Sequence, residues 1–238
     1  MEKKCQYIGI DISKKTFDVS FYDGESHRHE RYANTETGFA SFVAALSEGS
    51  HCVMEATGVY HLHLALYLSQ RQIAVSVINP LVIRRFCQMQ LRRAKTDKAD
   101  AQQIALYGWH HQPKLWQPDP EAITQMGQLS AFIELAKKQG TALCNQREAF
   151  ALQPHGDPAL VKMLNREILR QKKIVTAQVQ KLIDLAKTTY SEVFESLVSI
   201  AGIGEQTASL LVMATNGFTA FDSSKQLIAY LGLSPRHF

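Results

Sequence analysis

Residues 7–22 read Tyr7-Ile8-Gly9-Ile10-Asp11-Ile12-Ser13-Lys14-Lys15-Thr16-Phe17-Asp18-Val19-Ser20-Phe21-Tyr22. Two runs rich in β-branched and aromatic residues flank a short polar link, the pattern of two strands joined in a hairpin. Residues 28–33 form a weaker third strand. A helix follows from Thr35, with Phe39, Phe42, Val43 and Leu46 on one face, and Glu48-Gly49-Ser50 ends it. Residues 51–56 read as a strand and 60–70 as a helix. Residues 74–78 are a fifth strand closed by Asn79-Pro80, and helical patterns cover 81–90 and 97–111.

The element order is therefore β-β-β-α-β-α-β-α. Hairpins give antiparallel neighbours and right-handed crossovers give parallel ones. A mixed five-stranded sheet with helices on both faces follows, the element sequence of a ribonuclease-H-like fold. A dinucleotide-binding fold is disfavoured because no GxGxxG follows the first strand. Pro113, Pro118 and Pro120 mark a boundary, so the α/β domain spans 1–112. Beyond it the chain is all-α. Residues 122–150 and 158–189 read as two long helices making a helical coiled-coil linker over 121–190, and 193–238 as a small helical unit. In the second long helix Leu164, Ile168, Val175, Val179, Leu182 and Ala186 recur at seam spacing, which closes either within one chain or between two.

The chain has 238 residues and a formal net charge of +4, with 45% hydrophobic and 20% charged residues, which excludes wholesale disorder. No apolar run is long enough to span a membrane, and the start does not resemble a signal peptide, so the expected location is the cytoplasm. Cys5, Cys52, Cys87 and Cys144 lack CxxC spacing and read as plain buried thiols. Charge is uneven. Residues 1–60 carry −3, residues 61–118 carry +6, and residues 119–238 carry +1. Arg84, Arg85, Arg92, Arg93, Lys95 and Lys98 concentrate the surplus, as a polyanion-binding block or as a solvated helix face.

Four acids stand out within this frame. Asp11 lies inside an apolar strand, where a carboxylate is costly unless paired or metal-bound. Glu55 repeats the situation at the end of the fourth strand, expected to be the parallel neighbour of the first. Asp97 and Asp100, three apart at the opening of a helix, share one face, although Asp97 also reads as an N-cap and Asp100 as a first-turn acid. Carboxylates about 4 Å apart repel by roughly 4 kcal/mol per pair at an effective dielectric near 20. Four that converge require cations, and oxygen-only donors select Mg²⁺ or Mn²⁺ over zinc. Two such ions would suit phosphodiester cleavage. His61 and His63 form a poor metal pair and are expected in surface or groove positions. Trp109, His110, His111 and Trp116 read as an aromatic packing corner.

The motifs Gly9-Ile10-Asp11-Ile12-Ser13-Lys14-Lys15 with Asp18, Met54-Glu55-Ala56-Thr57-Gly58-Val59-Tyr60, Val77-Ile78-Asn79-Pro80 and Lys95-Thr96-Asp97-Lys98-Ala99-Asp100-Ala101 resemble, in order and spacing, the DEDD transposases of bacterial insertion sequences. Those are relatives of Piv invertases and of RuvC-type resolvases. The likeness continues through residues 197–204 and 230–236. It implies a metal-binding tetrad of Asp11, Glu55, Asp97 and Asp100, DNA as substrate, a structured guide RNA, and a C-terminal transposase domain. Homo-oligomerisation through the helical segment is also expected. Around Gly202 and Gly204 the chain resembles a helix-hairpin-helix turn that meets phosphate through backbone N–H groups, or else a plain packing corner. In the family, a Ser/Gly-rich segment with a serine nucleophile follows the Gly-Leu-Ser/Thr-Pro-Arg stretch. Here Phe238 comes first and Ser234 belongs to the preceding turn, so no serine nucleophile is assigned. On that ground, either the sequence is a fragment or the gene is truncated. The leading expectation is a metal-dependent, RNA-guided DNA recombinase, and a non-catalytic nucleic-acid-binding remnant is the alternative. An actin-like or sugar-kinase ATPase is the remaining alternative, and it lacks its second Asp-Gly phosphate motif and its Gly-rich adenosine motif.

Overall fold

The structure is a computed structural model that describes residues 6–90, 96–219, 221, 223–230 and 232. Its contacts divide the chain into two units, Met1–Pro118 and Asp119–Phe238. The apolar run at the start becomes β1 (Tyr7–Ile12), buried on both faces because it is the central strand. It pairs antiparallel with β2 (Thr16–Tyr22), and β2 pairs antiparallel with β3 (His27–Ala33). On its other side β1 pairs parallel with β4 (His51–Glu55), and β4 pairs parallel with β5 (Ala74–Ile78). The sheet order is β3-β2-β1-β4-β5. A mixed five-stranded sheet was expected and is found.

Pleating separates the two faces. Ile8, Ile10, Ile12, Phe17, Val19 and Phe21 join Phe39 and Phe42 of α1 (Glu36–Ala44) and Leu64, Ala65 and Leu68 of α2 (Leu62–Gln70) in one core. At about 1.5–3 kcal/mol for each large side chain removed from water, this cluster is the main hydrophobic contribution of the unit. Tyr7, Val53 and Ile78 on the opposite face meet Ile83 of α3 (Pro80–Met89) and Ile104 of α4 (Asp97–His111). α3 begins with Pro80 at its first position, where a missing N–H costs nothing, and the Asn79 side chain accepts from the Leu81 N–H. β3 is the charged, exposed edge. The opposite edge is covered by the proline-rich stretch. There the Trp116 N–H bonds to the Val75 carbonyl at 2.7 Å, and Ser76 Oγ donates to the carbonyls of Pro113 and Lys114.

Two local expectations change. The helix expected from residue 60 begins at Leu62, with residues 59–61 forming a turn. His61 is buried rather than at the surface, because the turn tucks it beneath the chain, while His63 is exposed as expected.

The second unit is helical among its described residues. α5 (Glu121–Ala151) and α6 (Pro158–Thr189) pack along each other, each roughly 47 Å long at 1.5 Å per residue. Ile168, Leu182 and Ala186 are buried, and Leu164, Val175 and Val179 half-buried. The lower part of the seam joins Phe194 and Leu197 of α7 (Ser191–Val198) and Ala208 and Val212 of α8 (Glu205–Thr215) in one core. A last helix, α9, covers Ser224–Tyr230.

Candidate active site

Asp11 is the fifth residue of β1 and lies on the face that carries α4. Strand register places Asp18 of β2 directly across from it, and Arg31 of β3 directly across from Asp18. On the other side, the last recorded β1–β4 pair is Ile10 with Met54, so Glu55 closes β4 one step further along. Asp97 and Asp100 stand in the first turn of α4. The expectation that Asp97 caps this helix is corrected. Thr96 is the N-cap, accepting from the Ala99 N–H at 3.1 Å, which leaves the Asp97 carboxylate available to partners outside the helix.

Gly9 fixes where that helix starts relative to the sheet. A Cβ at position 9 would lie 2.1 Å from the Ala101 carbonyl oxygen and 2.2 Å from the Ala105 nitrogen. Backbone therefore touches backbone at this crossing, and it does so one position beyond Asp100. The first turn of α4 is thereby set beside the Asp11 end of β1. The N-terminal end of a helix also favours the carboxylates placed there.

The electrostatics follow from this placement. The Asp11 carboxyl is pushed up to about 6, first by burial and then by the negative charges of Asp100, Asp97, Glu55 and Asp18. The other three sequence-predicted acids thus act on Asp11. Among the described residues no three His, Cys, Asp or Glu side chains stand close enough to hold one metal. The donor set consists of oxygens alone, which fits a hard divalent cation. Cys87 on α3 also senses the group, its thiol raised by burial and by Asp100 and Glu55.

Sequence reading missed the counter-charges. Asp18 is only 6% exposed and is held by His29 Nε2 at 2.8 Å and by Arg31 Nε at 3.2 Å. The Nη2 of Arg31 reaches Asp97 Oδ2 at 3.5 Å, so a single guanidinium joins β2, β3 and the start of α4. The signal was present in the hairpin register, which sets 11 opposite 18 and 18 opposite 31. Of the predicted basic block, Arg84, Arg85 and Lys98 are exposed on α3 and α4, while Arg92, Arg93 and Lys95 lie outside the described residues. So does Ser234. Gly202 sits at φ +93° and Gly204 caps α8 without a side-chain bond; a Cβ at either glycine would meet nothing within 4 Å. Cys52 is buried, Cys87 and Cys144 are half-buried, and Cys5 is outside the described residues. No helix among the described residues is long and apolar enough to cross a membrane.

Comparison with known proteins points to one class, the transposases. Residues 8–153 match the DEDD transposase profile of the IS110 type, and residues 195–238 match the profile described as "Transposase IS116/IS110/IS902 family". The chain is 30% identical over 240 aligned positions to the pilin gene-inverting protein of Moraxella bovis, covering 97% of this chain and 72% of that one. The pilin gene-inverting protein of Moraxella lacunata gives the same figures. The chain belongs to the IS110 family of DEDD transposases, and is a DNA recombinase of that class.

Proposed function

We propose that the chain cleaves and joins DNA strands at an insertion element in a metal-dependent reaction, with Asp11, Glu55, Asp97 and Asp100 holding Mg²⁺ or Mn²⁺. The observation that carries this reading is the Asp11 carboxyl, raised to about 6 by burial and by three other acids of the tetrad together with Asp18. Like charges gathered at the ends of the two adjacent interior strands have no structural benefit of their own; they gain one when a cation neutralises them. When bound, the cation supplies Lewis-acid stabilisation of the negative charge that develops on a phosphodiester under attack. The protein's own groups do the positioning. β1 and β4 fix Asp11 and Glu55, the Gly9 crossing fixes the first turn of α4, and Arg31 orients Asp97. Arg84, Arg85 and Lys98, with Arg92, Arg93 and Lys95 of the same block, seat the phosphate backbone.

The finer fold reading belongs to the same proposal. The β3-β2-β1-β4-β5 order with helices on both faces supports a ribonuclease-H-like catalytic domain over 1–112. The packed α5 and α6 support a coiled-coil linker over 121–190 through which copies associate, and the Gly202–Gly204 turn supports a helix-hairpin-helix phosphate contact within a C-terminal transposase domain over 193–238. Family membership supports guidance by a structured RNA and a cytoplasmic location. The deciding assay is Mn²⁺-dependent nicking of branched DNA by the wild type and Asp11→Asn. Loss of an outer partner of a metal ligand costs roughly 10–100-fold, so loss of a ligand itself should reduce nicking by at least about a hundredfold. If both proteins bind nucleic acid and both are inert, the chain is a binding remnant.

A further inference from the structure

The loops that leave β1 and β4 are tied into a single rim. Asn34, the residue after β3, donates its side-chain N–H groups to the Ser13 carbonyl at 3.0 Å and to the Tyr60 carbonyl at 3.3 Å. Its backbone N–H bonds to the Lys15 carbonyl at 2.8 Å. One side chain thus holds the β1–β2 hairpin tip against the turn that precedes α2. Ser13 follows Asp11 by two residues and Tyr60 follows Glu55 by five, so the rim stands at the end of the sheet where the parallel strands β1 and β4 terminate.

What the rim exposes is unusual for a surface loop. Lys14 and Lys15 are exposed at the hairpin tip. Val59 is 67% exposed, Tyr60 39% and Leu62 41%. An aliphatic and an aromatic side chain held in water beside two ammonium groups match a strand of nucleic acid, which offers phosphates on one side and base faces on the other. The acids alone would repel that strand, and the two lysines supply the complementary charge at the edge of the acidic patch.

We propose that this rim is a strand-separating wedge for DNA. Lys14 and Lys15 take phosphates of one strand, and Tyr60, with Val59 beside it, stacks on the base flanking the phosphate presented to Asp11 and Glu55, holding that base out of the duplex. The proposal rests on the recombinase reading and deepens it, naming the surface that opens the substrate. Asn34 serves as the positioning residue, since it fixes the backbone on both sides of the wedge.

The test uses the full chain and forked DNA carrying 2-aminopurine in the complementary strand, opposite the base that Tyr60 takes and so left unstacked, without divalent metal, so that no cleavage is needed. Wild type should raise the 2-aminopurine fluorescence several-fold on binding. Tyr60→Ala should abolish the rise with at most a tenfold loss of affinity, Tyr60→Phe should keep it because stacking needs only the ring, and Tyr60→Leu should lose it. The Lys14→Ala/Lys15→Ala double variant should lower the slope of log affinity against log salt by about 1.4, at roughly 0.7 per single-strand phosphate contact. An undiminished rise in folded Tyr60→Ala and Tyr60→Leu, or an unchanged salt slope in the double variant, overturns the proposal. Tyr60-dependent binding of the RNA version of the fork in preference to DNA also overturns it. If wild type neither binds nor nicks forked DNA, the recombinase reading fails and takes this one with it. Forks bound and nicked with Tyr60-independent fluorescence sink the wedge alone.

Discussion

Asp11 is the residue on which the proposed chemistry turns, and its ionisation has a checkable consequence for stability. A carboxyl raised from 3.8 to about 6 in the folded state holds its proton more tightly there than in the unfolded chain. Between those two values the native state binds more protons than the unfolded state, so stability falls as pH rises through that window. Below it both states are neutral at this position, and above it the full penalty is present. Asp11→Asn removes the ionisation. In chelator-treated protein, the variant should melt at a higher temperature than wild type at pH 7, and the gap should close by about pH 4. Thermal unfolding across pH 4–8 checks this. A gap of constant size would mean that position 11 does not titrate in the field of its neighbours. The mutual repulsion of Asp11 with Glu55, Asp97 and Asp100 was expected from sequence, whereas the part played by Asp18 was not. Residue types and the β1–β4 adjacency made Asp11 and Glu55 legible as a pair. The Arg31 bridge between Asp18 and Asp97 was not, because an arginine on an exposed, charged edge strand looks like any solvated residue until strand register places it.

The strands and most helices were legible because each carries a clean local period: apolar runs for β1, β4 and β5, and 3–4 spacing in α1 and α6. α4 was located but its docking was not. It meets the sheet through Ala101, Ala105 and Gly108, small side chains that give almost no hydrophobic period, and only the position of Gly9 opposite them reveals the close crossing. His61 was misjudged for a related reason, since the turn that buries it has no period to read. The α4 crossing sets up an element-level prediction. An alanine Cβ at position 9 cannot coexist with backbone atoms at 2.1 and 2.2 Å, so Gly9→Ala must push α4 away from β1. Overpacking of this kind costs about 1–3 kcal/mol and should lower the melting temperature by several degrees. It should also cut nicking by up to about a hundredfold, because a displacement near 1 Å moves Asp97 and Asp100 relative to Asp11. Gly127→Ala in α5 is the control. A Cβ there meets nothing within 4 Å, so the change should leave stability equal or higher by about 0.5–1 kcal/mol. Equal melting temperatures for Gly9→Ala and wild type would refute the close crossing.

Across the whole molecule, charge is divided along the chain. The first sixty residues, which supply Asp11 and Glu55, are net acidic, and the next fifty-eight are net basic by +6. Both halves of this contrast lie in the first unit, so the same body that gathers the acids also carries the cations. α3 shows how one element does this. Ile83 and Phe86 face the core while Arg84 and Arg85 face water, and α3 packs on α4, whose first turn holds Asp97 and Asp100. A duplex seated on these arginines releases counterions, and affinity should fall as salt rises, with a slope of about 0.9 per phosphate engaged. Arg84→Gln/Arg85→Gln should therefore lower the magnitude of that slope by about 1.8 on duplex DNA. The effect should be nearly independent of sequence, since phosphate contacts position a duplex without reading it. Fluorescence anisotropy at 50–300 mM salt on two unrelated duplexes measures both quantities. The wedge variants Lys14→Ala/Lys15→Ala should leave the duplex slope in place while lowering the forked one. The two basic surfaces then separate by substrate: one holds the paired arm, the other the strand being opened. A duplex slope unmoved by Arg84→Gln/Arg85→Gln would return these arginines to an ordinary solvated helix face.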